Sequence, residues 1–468
     1  MPELALKIHL SLNLSDEHGL ADSVDSVCSI ELAASPPIET LGLSLSDGKA
    51  VLSWLQAWVV SHQIKARDQR QRACPCCGAA RVLKDYHPVR YRSVFGGVAA
   101  RVARWRSCPN CKAGESTSAA RGCWISAELL YVHSRLAATL PYARATEVLG
   151  LLLPKGAAAV PSTVRAHALA SGEWLDAEGL SAGIEPQRPS ADPAVSIGLD
   201  GGYVRHCHPE RCDRRYRAKG APDFEVVAGR LLGSGACRRS IAFALTVDPH
   251  CDRRVLALLA GAGGDRTVEV FTDGDTLLRS WQEEALPSAI HVLDWYHLRR
   301  RVEEIDRIVY RRDTARQLRP RDHDRLSDLA DHMQWRLWHG RSDGVLRRLQ
   351  VMLRVLIRPA VKCRPVATLL GKLIRELHRY LMNNADSLPD CGKRWRSGQR
   401  ISSAFIESAV NQIIDKRMSK SQQMRWDPLS AHRLLQVRVR HIDGLLRSDF
   451  ARWYPGFPAN ESGAIAAA

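Results

Sequence analysis

Asp200 interrupts the apolar run Val195–Tyr203, Asp273 closes the apolar segment Thr267–Thr272, and Glu407 lies in a helical segment crowded with basic residues. A carboxylate inside an apolar strand is costly unless it is paired or binds metal. Clustered carboxylates suit Mg²⁺, a hard cation that takes oxygen ligands and bridges to substrate phosphates. Asp273 says little alone, because Asp-Gly after a strand is a common turn; Asp200 says more. Glu407 has Arg400, Lys416, Arg417 and Arg425 around it, a setting for a carboxylate held over a phosphodiester.

Four of the thirteen cysteines carry a second chemistry. Cys74-Pro-Cys-Cys77-Gly and Cys108-Pro-Asn-Cys111 are two Cys-x2-Cys pairs with thirty residues between them. Each pair bends into a knuckle that aims two thiolates at one tetrahedral Zn²⁺. Between them Tyr86, Val89, Tyr91, Val94, Phe95, Val98 and Val102 follow the pattern of a β-hairpin turning at Gly96-Gly97. This is a zinc-ribbon layout, and it exposes Arg90, Arg92, Arg104 and Arg106, with Arg81, Lys84 and Arg101, to phosphates. His206, Cys207, His208 and Cys212 read as a hairpin tip rather than a second metal site.

The elements that position these groups fit a soluble multidomain chain. With 468 residues, 45% hydrophobic and 25% charged, the sequence excludes a disordered or fibrous protein. No apolar run reaches the ~18–20 residues of a membrane span, and acids near the N-terminus argue against a signal peptide, so a cytoplasmic, nucleoid-associated location is expected. The net charge of +17 points to a polyanionic partner. That charge is concentrated: residues 61–112 hold twelve Lys/Arg against two Asp, and residues 393–452 hold thirteen against five acids, whereas residues 1–50 carry two Lys and eight acids. Two separated basic modules favour a long nucleic acid.

Along the chain, residues 1–65 are expected as an acidic and apolar helical segment, 66–124 as the zinc ribbon, and 125–185 as a helical module. In that module Ser126–Leu140, Tyr142–Leu152 and a helix starting at Pro161-Ser162-Thr163 suggest a helix-turn-helix, with Ser162, Thr163, Arg165 and His167 facing DNA. From 190 strands alternate with helices: Val195–Tyr203, Phe224–Leu232, Ser240–Val247, Thr267–Thr272 and Ile290–Leu293 read as strands. The order β-β-β-α-β-α-β-α fits an RNase H-like mixed sheet with its first strand central and its fourth beside it, so Asp200 and Asp273 come together. The fold class is therefore multidomain α/β, with a core over 190–297 and 400–450, a large all-helical insertion over 298–399, and a disordered tail over 455–468.

The segments LDGGYVR, FTDGD, LDWYHL and IESAVNQIIDKRMSKSQQMRW, with the upstream CPCCG and CPNC pair, resemble an insertion-sequence transposase of the ISKra type, within the DDE class. The resemblance implies that Asp200, Asp273 and Glu407 form the catalytic triad, holding two Mg²⁺ or Mn²⁺ ions. It also implies that Asp294 and His297 form the accessory DxxH element found in Mutator-like relatives. Asp294 also ends a strand, so the second metal ligand is Asp273 or Asp294, with Asp273 favoured by its strand's expected place beside that of Asp200. The implied partners are double-stranded DNA, at the terminal inverted repeats of the element and at the target, and a second copy of the chain in the synaptic complex; no membrane is implied. An RNase H-like nuclease without strand transfer, or a non-catalytic zinc-ribbon and helix-turn-helix regulator, are the competing readings.

Overall fold

A computed structural model of the chain describes all residues except 1–4, 16–20, 34–35, 109, 112–123, 158–159, 182–193, 208–222, 233–237, 261–266, 359–360, 362–363, 420–423 and 459–468. His208, Cys212 and most of the expected tail lie outside the described residues. The chain divides into two compact units, one of residues 1–170 with 446–468 and one of 171–445. No helix among the described residues is long and apolar enough to cross a membrane.

The first unit opens with strands, not with the expected helix. β1 (Ala5–Ser15) and β2 (Ala21–Ala33) pair antiparallel. Leu6, Ile8, Leu10, Leu12 and Leu14 alternate with period two, which is the repeat of a strand. The helix starts only at α1 (Leu45–Arg70), where Ser44 and Asp47 close a reciprocal capping box. β3 (Leu83–Ser93) and β4 (Gly96–Trp105) then form the expected hairpin. Its turn is Val94-Phe95 rather than Gly96-Gly97, and Gly96 opens β4 at φ +114°, a conformation that disfavours any side chain. Val98, Val102, Ala103 and Trp105 of β4 are buried, and the Ala103 N–H donates to Asp68 of α1 at 3.1 Å.

The three helices of the next module fall close to their expected bounds: α2 (Ala127–Thr139), α3 (Tyr142–Leu152) and α4 (Pro161–Ser181). Eight residues, 153–160, separate α3 from α4, twice the three- to four-residue turn of a helix-turn-helix. Ser162 and Arg165 are exposed on the first turns of α4, and Thr163 is half-buried. The division between units falls inside α4 rather than near 185. Beyond it Asp176 holds His432 at 3.1 Å and pairs with Arg254, which ties that half of α4 into the second unit. The helix Leu446–Trp453 returns to the first unit, where Phe450 meets Tyr131 edge-on at 5.4 Å.

The second unit is built on one sheet. β5 (Ala194–Val204), β6 (Phe224–Leu232), β7 (Arg238–Ala244), β8 (Thr267–Thr272) and β9 (Ile290–Leu293) lie in the order β7-β6-β5-β8-β9. β7, β6 and β5 are antiparallel, while β5, β8 and β9 are parallel. The first strand of this sheet is thus central, with the fourth beside it. Helices cover both faces. On one, Leu258 and Leu259 of α5 (Cys251–Ala260) and Trp281 of α6 (Thr276–Ala285) pack on Ile197, Leu199 and Val270.

After β9 the chain runs through α7 (Trp295–Val309), α8 (Arg312–Gln317), α9 (Pro320–Ala330), α10 (Met333–Trp338), α11 (Ser342–Leu356), α12 (Pro365–Asn383) and α13 (Cys391–Arg396). This stretch has its own core, centred on Val302, Ile305, Leu349, Met352, Leu370 and Ile374. Trp338 packs edge-on against Trp295 at 5.1 Å, whereas Trp335 is exposed with Arg341 over its ring. The chain then returns to the sheet through α14 (Ala404–Val410), a π-helical turn (Asn411–Ser419) and α15 (Pro428–Ile442).

Candidate active site

Strand register aligns three aspartates. β5 and β8 pair Gly198 with Phe271, and β8 and β9 pair Thr272 with Leu293. Carried on in the same register, Asp273 stands beside Asp200 and Asp294 stands beside Asp273. Neighbouring strands are about 4.8 Å apart and side-by-side residues share a face, so one row of acids crosses the carboxyl ends of three parallel strands. Open α/β sheets bind their ligands at that edge.

α14 lies on the same face, and Gly198 lets it come close. A Cβ on Gly198 would stand 2.6 Å from Ile406 Cβ, and one on Gly202 3.5 Å from Ile414 Cδ1. Both flank Asp200 by two residues, so the face that carries its carboxylate is bare on either side. Ile406 is fully buried there, which brings its neighbour Glu407 over the row.

Asp294 is the structural centre of the cluster. It is fully buried, and its Oδ1 accepts the N–H groups of Ser403 at 2.8 Å and Tyr296 at 3.3 Å. Ser403 holds the N-cap position of α14 with no side-chain capping bond, and its backbone N–H ties the start of the helix to Asp294. The second oxygen, Oδ2, lies 3.7 Å from His297 Nε2 and accepts no hydrogen bond, nor does the buried Oε1 of Glu407. Asp294, His297 and Glu407 each offer a ligand atom, all within 4.8 Å of one another. Asp273 stands in the row, but its carboxylate accepts the Asp275 N–H at 3.0 Å. Of the two aspartates left open by the sequence, it is Asp294 that the fold gathers with Glu407.

The electrostatics match the crowding. Burial pushes the Asp200 carboxyl up to about 6, with Asp273 and Glu407 adding to the rise against the opposing pull of His297. Burial, then Asp294, raises Glu407 as well, with His297 and Arg300 opposing. Like charges held together out of water need a cation or a proton. A buried carboxylate oxygen without a donor is the free valence that a hard divalent ion would use, so the donor set fits Mg²⁺ or Mn²⁺.

Compared with known proteins, the chain matches no protein-family model and no curated sequence.

The raised Asp200 carries a stability consequence. Its folded value of about 6 exceeds the ordinary 3.8, so without metal this group favours the fold below pH 3.8, and that advantage is lost as pH rises through 6. The shift corresponds to roughly 3 kcal/mol at most. Metal-free Asp200→Asn is expected to melt several degrees above the wild-type chain at pH 7.5, with the gap closing toward pH 4. A melting temperature equal to or below wild type at pH 7.5 contradicts this.

Basic residues divide by exposure. Arg400, Lys416 and Arg425 are exposed, as expected for phosphate contacts. Arg417 is not: it is among the largest fully buried side chains, with its guanidinium 5.1 Å from the Trp426 ring. The apolar stripe of Ile406, Ala409 and Ile413 continues onto position 417, which draws the residue inward despite its charge. In the ribbon Arg90 and Arg106 are exposed and Arg92 is half-buried. Arg104 forks onto Asp85 through Nε at 2.6 Å, and Arg81 is buried, bonding the Arg106 carbonyl.

The four predicted cysteines do meet. Sγ–Sγ separations are 3.4 Å for Cys74–Cys111 and Cys77–Cys108 and 3.7 Å for Cys77–Cys111, and all four lie within 4.8 Å of one another. A tetrahedron with Zn–S bonds near 2.3 Å has edges of about 3.8 Å, so the donors fit zinc. Backbone N–H groups of Cys77 and Cys76 lower the Cys74 thiol to about 6, as a thiolate ligand requires. Cys76 is exposed and outside the four.

Proposed function

We propose that the chain is a DDE-class DNA transposase of a bacterial insertion sequence, with an RNase H-like core that cuts and joins DNA in the presence of Mg²⁺. The observation that carries this reading is the row Asp200–Asp273–Asp294 beneath Glu407, with two buried carboxylate oxygens that accept no hydrogen bond. The strand order β7-β6-β5-β8-β9, three antiparallel strands followed by two parallel crossovers, supports the RNase H-like assignment.

Asp200, at the centre of the sheet, and Glu407 would hold the metal, with Asp273 beside Asp200 and the free buried oxygen of Asp294 beside Glu407 as the further carboxylates of the site. When bound, Mg²⁺ supplies a lowered pKa for an attacking water or DNA 3′-hydroxyl and neutralises charge on the leaving oxygen. Asp294 anchors the start of α14 through the Ser403 N–H and so fixes where Glu407 stands. His297 faces the free oxygen of Asp294 and tempers the negative charge of the cluster. Arg400, Lys416 and Arg425 offer exposed cations for the phosphates on either side, and the ribbon adds Arg90 and Arg106. Synapsis of two DNA ends calls for at least two copies of the chain.

The test is cleavage. Full-length protein is incubated with DNA carrying the short inverted repeats that flank its gene, in Mg²⁺ or Mn²⁺. Nicking at the repeat termini, lost on chelation, is expected. Sequence-indifferent cutting would point to a nuclease, and binding without cutting to a regulator.

A further inference from the structure

The helical insertion reaches back to the sheet at several places: Arg394 pairs with Glu269 of β8 at 2.8 Å, and other residues meet the turn that carries Asp273. The Tyr380 hydroxyl, on α12, donates to the Asp273 carbonyl oxygen at 2.7 Å. Asn384, at the end of α12, is buried and packs on Gly274: a Cβ there would lie 2.9 Å from Asn384 Oδ1, and Gly274 has φ +87°. A second tie runs through His291, whose Nδ1 is 2.6 Å from Ser387 Oγ and whose Nε2 is 2.8 Å from Thr272 Oγ1. Thr272 Oγ1 in turn accepts the Gly274 N–H at 3.0 Å. Residues 272–274 are thus held from above by Tyr380, Asn384 and Ser387, all contributed by the insertion, although that insertion folds around a hydrophobic core of its own.

Packing alone does not require this. Tyr380 is stacked under the Arg301 guanidinium at 4.2 Å, a contact that phenylalanine would keep. Its hydroxyl adds the hydrogen bond to the Asp273 carbonyl, beside an interaction with the Arg301 side chain. Peptide orientation at 273–274 decides where the Asp273 carboxylate points, and that carboxylate is bonded into its own turn through Asp275.

We infer that Tyr380 is a positioning residue: through the Asp273 carbonyl, the insertion sets the aim of the Asp273 carboxylate at the metal. The site is then complete only when the insertion is docked. This rests on the reading of Asp273 as a metal-holding carboxylate.

Mn²⁺ binding tests it without relying on catalysis. Free Mn²⁺ is counted by electron paramagnetic resonance in titrations of the full-length wild type, Tyr380→Phe and Ser387→Ala. Loss of one hydrogen bond is expected to weaken Mn²⁺ binding by about threefold to tenfold in Tyr380→Phe, with the melting temperature lowered by no more than a few degrees and DNA affinity unchanged. Ser387→Ala, which breaks the separate tie through His291, is expected to shift binding in the same direction. Mn²⁺ affinity equal to wild type in both variants overturns the inference. A wild-type chain that binds Mn²⁺ in a Tyr380-dependent way yet cuts no DNA upholds the positioning role and defeats the transposase reading. A wild-type chain that cuts DNA while Tyr380→Phe and Ser387→Ala bind Mn²⁺ normally does the reverse.

Discussion

Asp200→Asn and Glu407→Gln are each expected to lower cleavage of element-end DNA by about a thousandfold or more, while DNA affinity stays within about twofold. A divalent ion contributes several kcal/mol of charge stabilisation at the reacting phosphate, and about 4 kcal/mol is a factor of a thousand in rate. Both substitutions keep side-chain shape and remove only the charge that holds the ion. Asp200 is central because its strand neighbours the one carrying Asp273 and its face is the one α14 covers. Gel-based cleavage with single-turnover kinetics reads the rate, and filter binding reads the affinity. Cleavage within tenfold of wild type in either variant contradicts the assignment. So does a parallel loss of binding, which would make these residues part of the DNA surface.

Removing zinc is expected to have the second large effect, confined to the ribbon. Structural zinc in small Cys₄ or Cys₂His₂ modules contributes about 10–16 kcal/mol of folding free energy at neutral pH. Among the described residues the hydrophobic side chains that the hairpin of β3 and β4 buries are Val98, Val102, Ala103 and Trp105, and its two knuckles meet at Cys74, Cys77, Cys108 and Cys111. Purified protein should carry one zinc per chain. Cys74→Ser or Cys108→Ser, the two buried ligands, should release it and abolish hydrogen-exchange protection across β3 and β4, while β5 to β9 stay protected. DNA binding should weaken and lose part of its salt dependence as Arg90 and Arg106 cease to be presented. Unchanged protection of β3 and β4 in a zinc-free chain would falsify the structural role.

How much of this was legible in the sequence follows from which forces act locally. Phe224–Leu232, Thr267–Thr272 and Ile290–Leu293 stand at their expected bounds, because each is an apolar run closed by residues that favour turns. The Cys-x2-Cys spacing gave the sulfur cluster, since two tight turns and one hairpin leave few alternatives. Asp200 was readable because a charge in a buried strand has no cheap explanation.

The remainder depended on tertiary context. The period-two alternation of Leu6 to Leu14 is that of a strand, and within the first 65 residues only α1, from Leu45, meets the helical expectation. Arg417 shows the opposite error: its charge suggested surface, whereas its place on the apolar stripe and the face of Trp426 decide for the interior. Asp294 could not be ranked above Asp273 as the neighbour of Glu407, because the ranking depends on the Ser403 N–H, more than a hundred residues away. Tyr380 gave no signal at all; one tyrosine on an amphipathic helix is ordinary until its hydroxyl is seen on the Asp273 carbonyl.

The most direct test of DNA joining at this site is a strand-transfer reaction. Pre-cut element ends with free 3′-hydroxyls are incubated with the full-length chain, Mg²⁺ and a supercoiled plasmid. Joined products are expected in the wild type and absent in Asp200→Asn at equal DNA binding. No joined product in Mg²⁺ or Mn²⁺ from a chain that binds the ends, or joining that survives in Asp200→Asn, would contradict a transposase built on Asp200, Asp273 and Glu407.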